Sequence, residues 1–242
     1  MEIADYDSTH YDYTKYWQGR NYEDFVDKAA LLKLLPPTGN SLIDIGGGFG
    51  RLLREYAEKY QQLTLLDYSG ENLSKARADP VLATTTNFIQ GDVYQLPFPD
   101  NSFDAGFMIR VMHHLEAPKK ALGEIYRIMK PGSIFVLEFA NKCHFKALLK
   151  QGLGFCRDLT PYSQLTKGSG VFLNHHPKAI EDITTSLGWK IEEKLSVSNL
   201  RWPQLKRLLP LRLLISIEIS LQKPLSYINF GPSIFLRLKK TT

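Results

Sequence analysis

Four glycines fall between a carboxylate and a guanidinium in the run Asp44-Ile45-Gly46-Gly47-Gly48-Phe49-Gly50-Arg51. Glycines there let the chain bend tightly and let a ligand reach the backbone where a side chain would collide. The spacing fits D-x-G-x-G-x-G through Gly46, Gly48 and Gly50; a dinucleotide fingerprint needs its third glycine one residue later, where this chain has Arg51. Two more carboxylates stand at comparable places. Asp67 lies 23 residues after Asp44 and can accept from both hydroxyls of a ribose. Asp92, in Gly91-Asp92-Val93, can accept from an exocyclic adenine amine while apolar neighbours sandwich the ring. Each aspartate alone serves equally well as a helix cap, but three acids after three successive strands are better explained by one bound nucleoside. Asp44 beside the turn narrows the ligand further, because it would repel a pyrophosphate and suits a cation.

Other residues of chemical interest are single or paired. His113-His114 follow a strand pattern and are the nearest general-base candidates by chain position; the competing account is a buried imidazole bonded to backbone. Arg110, just before them, falls at the strand end. His175-His176 precede Pro177, so capping of the following helix explains them, and with no third ligand at metal spacing no metal site is expected. Near the start, Tyr6, Tyr11, Tyr13, Tyr16, Trp17 and Tyr22 are too aromatic for a frayed tail. Tyr16 and Trp17 can close a lid over a pocket and Arg20 can bind a ligand carboxylate, with core packing and a plain surface arginine as the alternatives.

Elements must bring these residues together. Asp24–Leu35 has helical spacing of Phe25, Ala29, Leu32 and Leu35 and stops at Pro36-Pro37. Strands are expected at 41–45, 63–67, 87–90, 103–109 and 133–139. Helices are expected from Gly50 to about Lys59, from a Ser69 cap to about Ala78, and over 118–129, closed by Pro131-Gly132. Such alternation implies an α/β fold, a parallel sheet covered on both faces. Beyond Ala140 the pattern weakens over 141–174, then a helix at 177–187 and a strand at 190–198 follow. Residues 199–232 read as an inserted amphipathic helical segment, and 233–239 as a final strand.

With these residues in place, residues from about 20 to 140 resemble the class I S-adenosylmethionine-dependent methyltransferases, in the small-molecule (type 11-like) group that includes the quinone-biosynthesis enzymes. The segments that carry it are Leu42 to Gly50, Leu65-Leu66-Asp67-Tyr68-Ser69, Gly91-Asp92-Val93, Phe103-Asp104 with Met112-His113-His114-Leu115, and Arg127 to Gly132. The resemblance implies a doubly wound, mostly parallel seven-stranded sheet whose last strand is antiparallel, preceded here by the helical insert. It implies S-adenosylmethionine as cofactor, with the Gly46–Gly50 turn beside its methionine part, Asp67 on the ribose, and Asp92 with Val93 at the adenine. Tyr16, Arg20, Asp44, Tyr68 and Arg110 complete the expected cofactor set, and His113 and His114 the catalytic pair. The organisation expected is a lid and opening helix over 1–35, a cofactor core over 36–140, and completion of the same domain over 141–242. Substrate-side elaborations at 141–174 and 199–232 depart from the compact family pattern.

Composition sets the outer bounds. A chain of 242 residues, 43% hydrophobic and 23% charged with mean hydropathy −0.22, is globular and excludes disorder, collagen-like repeats and a membrane-spanning bundle. Two cysteines and the lack of a basic-then-apolar opening segment point to a reducing cytoplasm. Charge is split: residues 1–139 carry 14 Lys and Arg against 19 Asp and Glu, residues 140–242 carry 16 against 6. The basic, leucine-rich stretch 205–225 can rest on an acidic membrane, cover the sheet or form a dimer contact. The acceptor expected is therefore a small molecule, hydrophobic or anionic, methylated by in-line displacement. A non-catalytic adenosyl-ligand or partner-binding protein and a nicotinamide-dependent oxidoreductase are the alternatives, with nucleic acid ranked below them because no strand-tracking groove is evident. Oligomeric state is left open.

Overall fold

Local chemistry sets each boundary in the computed structural model, which describes residues 12–154, 159, 166–167 and 173–241. Tyr6, Tyr11 and Cys156 lie outside these residues. Asp12 opens α1 (Tyr13–Tyr16) by accepting from Thr14 N at 3.2 Å. α2 (Asn21–Leu34) buries Tyr22, Val26, Ala30, Leu31 and Leu34 along one stripe and ends before the two prolines. β1 (Gly39–Ile45) leads into the glycine turn. The α-helix expected after that turn is a 3-10 turn over Leu53–Tyr56. Its neighbouring bonds run mainly to the third residue back, as in Glu55 N to Leu52 O and Ala57 N to Arg54 O, so the segment is tightened.

β2 (Tyr60–Asp67) starts three residues before the expected strand. Ser69 caps α3 (Gly70–Arg77), accepting from Asn72 N at 3.1 Å. Asp79 with Pro80 in the first turn starts a further helix, α4 (Pro80–Thr85), which the sequence reading omitted. β3 (Thr86–Gln90), β4 (Phe103–Met108) and α5 (Pro118–Ile128) follow the expected order. β5 (Met129–Ala140) begins earlier than expected: a register shift between the Phe103–Met129 and Ala105–Ile134 pairs makes room for exposed Pro131 and Gly132 within the strand rather than before it. α6 (Phe145–Gly152), the short pair β6 (Thr166–Lys167) and β7 (Leu173–Asn174), and α7 (Pro177–Ser186) lead to β8 (Trp189–Val197). The insert holds α8 (Pro203–Leu208) and α9 (Leu211–Ser226), and β9 (Ser233–Lys240) closes the fold.

Among the described residues the main sheet has seven strands in the order β3-β2-β1-β4-β5-β9-β8. β1 to β5 pair in parallel, and β9 runs antiparallel to both β5 and β8. Alternate residues of β1 serve opposite faces: Leu42 packs with α2, α3 and α9, whereas Ile43 and Ile45 pack with α5 and α7. Strand order reverses between β1 and β4, and in doubly wound sheets the crevice beyond the carboxyl ends at that switch point is where ligands bind.

Candidate functional site

At that switch point the turn after β1 is held open by backbone bonds. Gly46 N and Gly47 N both donate to Leu66 O, at 2.7 and 3.3 Å, tying the turn to the end of β2. Gly46 has φ +71, and a Cβ on it would lie 2.3 Å from Val111 Cγ2, so no other residue fits. Gly48 N donates to Asp67 Oδ2 at 2.7 Å, while Asp67 Oδ1 accepts from Ser69 N at 2.9 Å. These bonds fix the Asp67 carboxylate on the wall of a cavity of about 650 Å³, its open mouth included. Gly46, Gly48, Tyr68, Val93, Arg110 and His114 of the expected set stand on the same wall.

Asp44 lies behind the turn rather than on the wall. It is 3% exposed, its Oδ2 has no hydrogen-bond partner among the described residues, and a Cβ on Gly47 would come 2.5 Å from that oxygen. Burial raises its pKa well above the usual carboxylate range, the Asp67 charge adds to the rise, and Arg51 opposes it. The arrangement rewards a positive charge brought to the turn.

Two arginines are gathered beside the turn by a buried acid. Asp27 on α2, fully buried, accepts from Arg110 Nε and Nη2 at 3.2 and 3.0 Å and from Arg51 Nη2 at 3.4 Å. Arg51 also pairs with Asp24 and lies 3.5 Å from the Trp17 ring centroid, so the residue that breaks the dinucleotide pattern anchors the N-terminal segment. Arg110 has the left-handed φ of +64, held by its N donating to buried Glu138 at 2.7 Å and by the clamp on Asp27. Burial opposes its charge, but the Asp27 and Glu138 carboxylates win and raise its pKa.

Besides Asp44, five expected site residues lie outside the cavity wall. Tyr16 stacks on Tyr13, and Arg20 sits 4.0 Å over the Tyr16 ring, facing an aromatic partner where a cofactor carboxylate was expected. Asp92 Oδ1 accepts from Tyr94 N at 2.7 Å, a turn-capping role, while its neighbours Gly91 and Val93 form the wall. At Gly50 a Cβ would meet Leu82 Cδ1 at 2.3 Å, which makes this glycine a packing requirement. His113 is buried beside His114 with ring centroids 4.1 Å apart; only His114 reaches the wall. Burial pushes His114 down to about 4 and holds His113 well below the ordinary imidazole range, so both are neutral at pH 7. His175 Nε2 lies 2.9 Å from Met112 O, and His176 Nδ1 caps α7 by accepting from Lys178 N, which accounts for the second pair.

Wall residues overlooked in the sequence include Tyr13 and Asn72. Tyr13 shared its signal with Tyr16 and Trp17, three and four residues on along one helical face, whereas Asn72 in the first turn of α3 carried none. Asp27 had one: an acid set within the apolar stripe of α2.

A family model described as a methyltransferase domain matches residues 43–137. Residues 43–137 are thus similar to a methyltransferase domain. A ubiquinone/menaquinone biosynthesis C-methyltransferase from Brucella canis is 31% identical over 166 residues, 59% of this chain and 61% of the relative. A demethylmenaquinone methyltransferase from Chlamydia trachomatis is 36% identical over 105 residues, 43% of this chain and 45% of that one. The chain thus spans less than two thirds of the length of these curated relatives. Among solved structures, an S-adenosylmethionine-dependent methyltransferase from Thermotoga maritima superposes with TM-score 0.61 at 16% identity, covering 94% of each chain. The [4+2]-cyclase SpnF gives 0.65 at 18%, covering 90% of this chain and 82% of that one. Those likenesses establish the methyltransferase fold. The Thermotoga protein is described as S-adenosylmethionine-dependent, and the residues present here fit that cofactor: Asp67 at the end of β2, a side-chain-free turn, and an Asp44 oxygen with no hydrogen-bond partner among the described residues, which a sulfonium would favour.

Proposed function

We propose that this protein transfers the methyl group of S-adenosylmethionine to a small acceptor built on an apolar ring. The observation that carries the reading is the cavity at the switch point, where Asp67 and the Gly46–Gly48 turn meet the buried Asp44 carboxylate. The quinone-directed names of the relatives support an apolar ring as acceptor. When bound, the cofactor supplies an electrophilic methyl group on a sulfonium. In this reading Asp67 holds the ribose hydroxyls, Gly91 and Val93 flank the base, and Gly46, Gly48, Tyr68 and Arg110 border the remainder. Asp44 acts through the turn from behind, and Asp92, Gly50, Tyr16, Arg20 and His113 keep the wall in shape. Neutral His114 accepts a proton from an acceptor hydroxyl or acidic carbon, and alignment with exclusion of water does the rest.

Calorimetric titration with S-adenosylmethionine and S-adenosylhomocysteine tests the reading. Binding of both is expected, weakened at least about tenfold in Asp67→Ala, the scale of losing a charged hydrogen-bond acceptor. No binding of either, or wild-type affinity in the variant, would overturn it. A cyclase on the same fold shows that architecture does not dictate the reaction, so methyl transfer from labelled cofactor to a demethylated quinone precursor must be measured separately.

A further inference from the structure

α9 buries polar side chains on its inward face and leaves leucine and isoleucine exposed. Its inward face, one residue in four, is Leu214, Glu218, Gln222 and Ser226, all buried. Glu218 accepts from Tyr22 Oη at 2.8 Å and from the backbone N of Asn199 and Leu200 at 3.1 and 3.0 Å, and Gln222 Nε2 donates to Val26 O at 3.3 Å. Two hydrophobic residues of α9 stand on the outward side, Leu213 at 48% exposed and Ile217 at 36%, while Ile215 packs against the core; Leu208 and Leu211, 77% and 39% exposed, flank the junction of α8 and α9. A helix normally turns its apolar stripe inward, so this face is made for a surface outside the fold.

Charge identifies that surface. Residues 199–232 carry Arg201, Lys206, Arg207, Arg212 and Lys223 and one acid, the buried Glu218. α6 adjoins the insert: Phe145 stacks on Phe230 with centroids 4.9 Å apart, and Lys146 Nζ lies 5.5 Å from the Trp202 ring centroid. α6 adds exposed Leu148 and Leu149 and Lys150, with no acid along its length. None of the helices among the described residues is long and apolar enough to cross a membrane. Apolar side chains among cations, on helices of this length, match the interface of an anionic bilayer, where leucines enter the headgroup–acyl boundary and Lys and Arg meet lipid phosphates. Lys206 pairs with Glu23 at 2.6 Å and Lys223 lies 3.8 Å from Glu193, which leaves exposed Arg207 and Arg212 without an ion pair among the described residues. A second copy fits less well, because a two-fold contact would set these two arginines against their counterparts.

We propose that α6, α8 and α9 form a docking surface for an anionic lipid bilayer, holding the protein at the headgroup boundary without a helix that crosses it. The surface acts whether or not a methyl group is transferred. Flotation of the full chain with vesicles of phosphatidylglycerol and phosphatidylcholine, against phosphatidylcholine alone, tests it. Binding to the anionic vesicles is expected, falling about tenfold in Ile217→Asp and by a similar factor in the Arg207→Glu, Arg212→Glu double variant. Both changes sit at exposed positions away from the cavity, so circular dichroism and S-adenosylhomocysteine binding should stay as in the wild type. Three results would each overturn the proposal: no flotation with anionic vesicles, flotation untouched by Ile217→Asp, or a dimer in sedimentation that Ile217→Asp dissociates while no vesicle binds.

Discussion

Asp44 carries a carboxylate into a place where its neighbours are another carboxylate and a turn of bare backbone, and one of its oxygens meets no donor among the described residues. Such a group strains the empty protein and pays off only with a cation present. Asp44→Asn should therefore leave the empty protein at least as stable at pH 7, yet narrow the preference for S-adenosylmethionine over its neutral homocysteine product by about tenfold, the equivalent of one pKa unit. Parallel calorimetry with the two ligands reads this directly; an unchanged ratio would mean that Asp44 does not sense the sulfonium. His114 makes a different prediction. An unfolded imidazole titrates near 6.5 and this one, pushed down by burial, near 4 in the fold, so between those values the unfolded chain binds the extra proton and stability falls as pH falls. Relative to His114→Asn, which cannot titrate, the wild type should lose about 3 kcal/mol across that window. Urea titrations of both proteins at its two ends would reveal the loss, and a constant difference would contradict a neutral, buried His114.

At the scale of elements, the N-terminal helices and the insert are one structural device. α2 presents Asp27 to the arginines of the site and Tyr22 to Glu218 of α9, so the wall of the cavity and the docking face share a helix. Removing the acceptor that binds α9 to α2 should be costly. Glu218→Ala strands Tyr22 Oη and the backbone donor of Asn199, while Leu200 N keeps Tyr22 Oη as an acceptor at 3.1 Å; a loss of about 2–5 kcal/mol in denaturant titration is expected for two buried donors left unsatisfied. A cost below about 1 kcal/mol, the range of an exposed pair, would show that water replaces the carboxylate there.

Seen whole, the molecule divides its charge: the acidic first part holds the cavity, while the basic last part completes the sheet through β8 and β9 and carries the outward apolar face. Because the cavity joins the ends of β1, β2 and β4 with α1 and α3, a ligand there should brace the entire fold. S-adenosylhomocysteine at about a hundredfold above its Kd should contribute roughly 2.7 kcal/mol and raise Tm by roughly 5–10 °C. A flat thermal shift in the wild type, with binding seen by calorimetry, would mean that the ligand also binds the unfolded chain or a loosened state.

The sequence by itself determined the alternation of elements, the glycine turn after β1 and the carboxylate at the end of β2, because strand period, turn chemistry and caps are local and survive without long-range contacts. It did not determine which of several adjacent residues faces the cavity. Tyr13 rather than Tyr16, His114 rather than His113, and Val93 rather than Asp92 reach the wall, since neighbours in a chain point in different directions and only packing selects one. Nor could a pattern of leucines and arginines reveal that α9 buries its polar stripe. That burial depends on Tyr22 of α2 reaching Glu218 from an element distant in sequence, a partnership that exists only once the tertiary structure has closed.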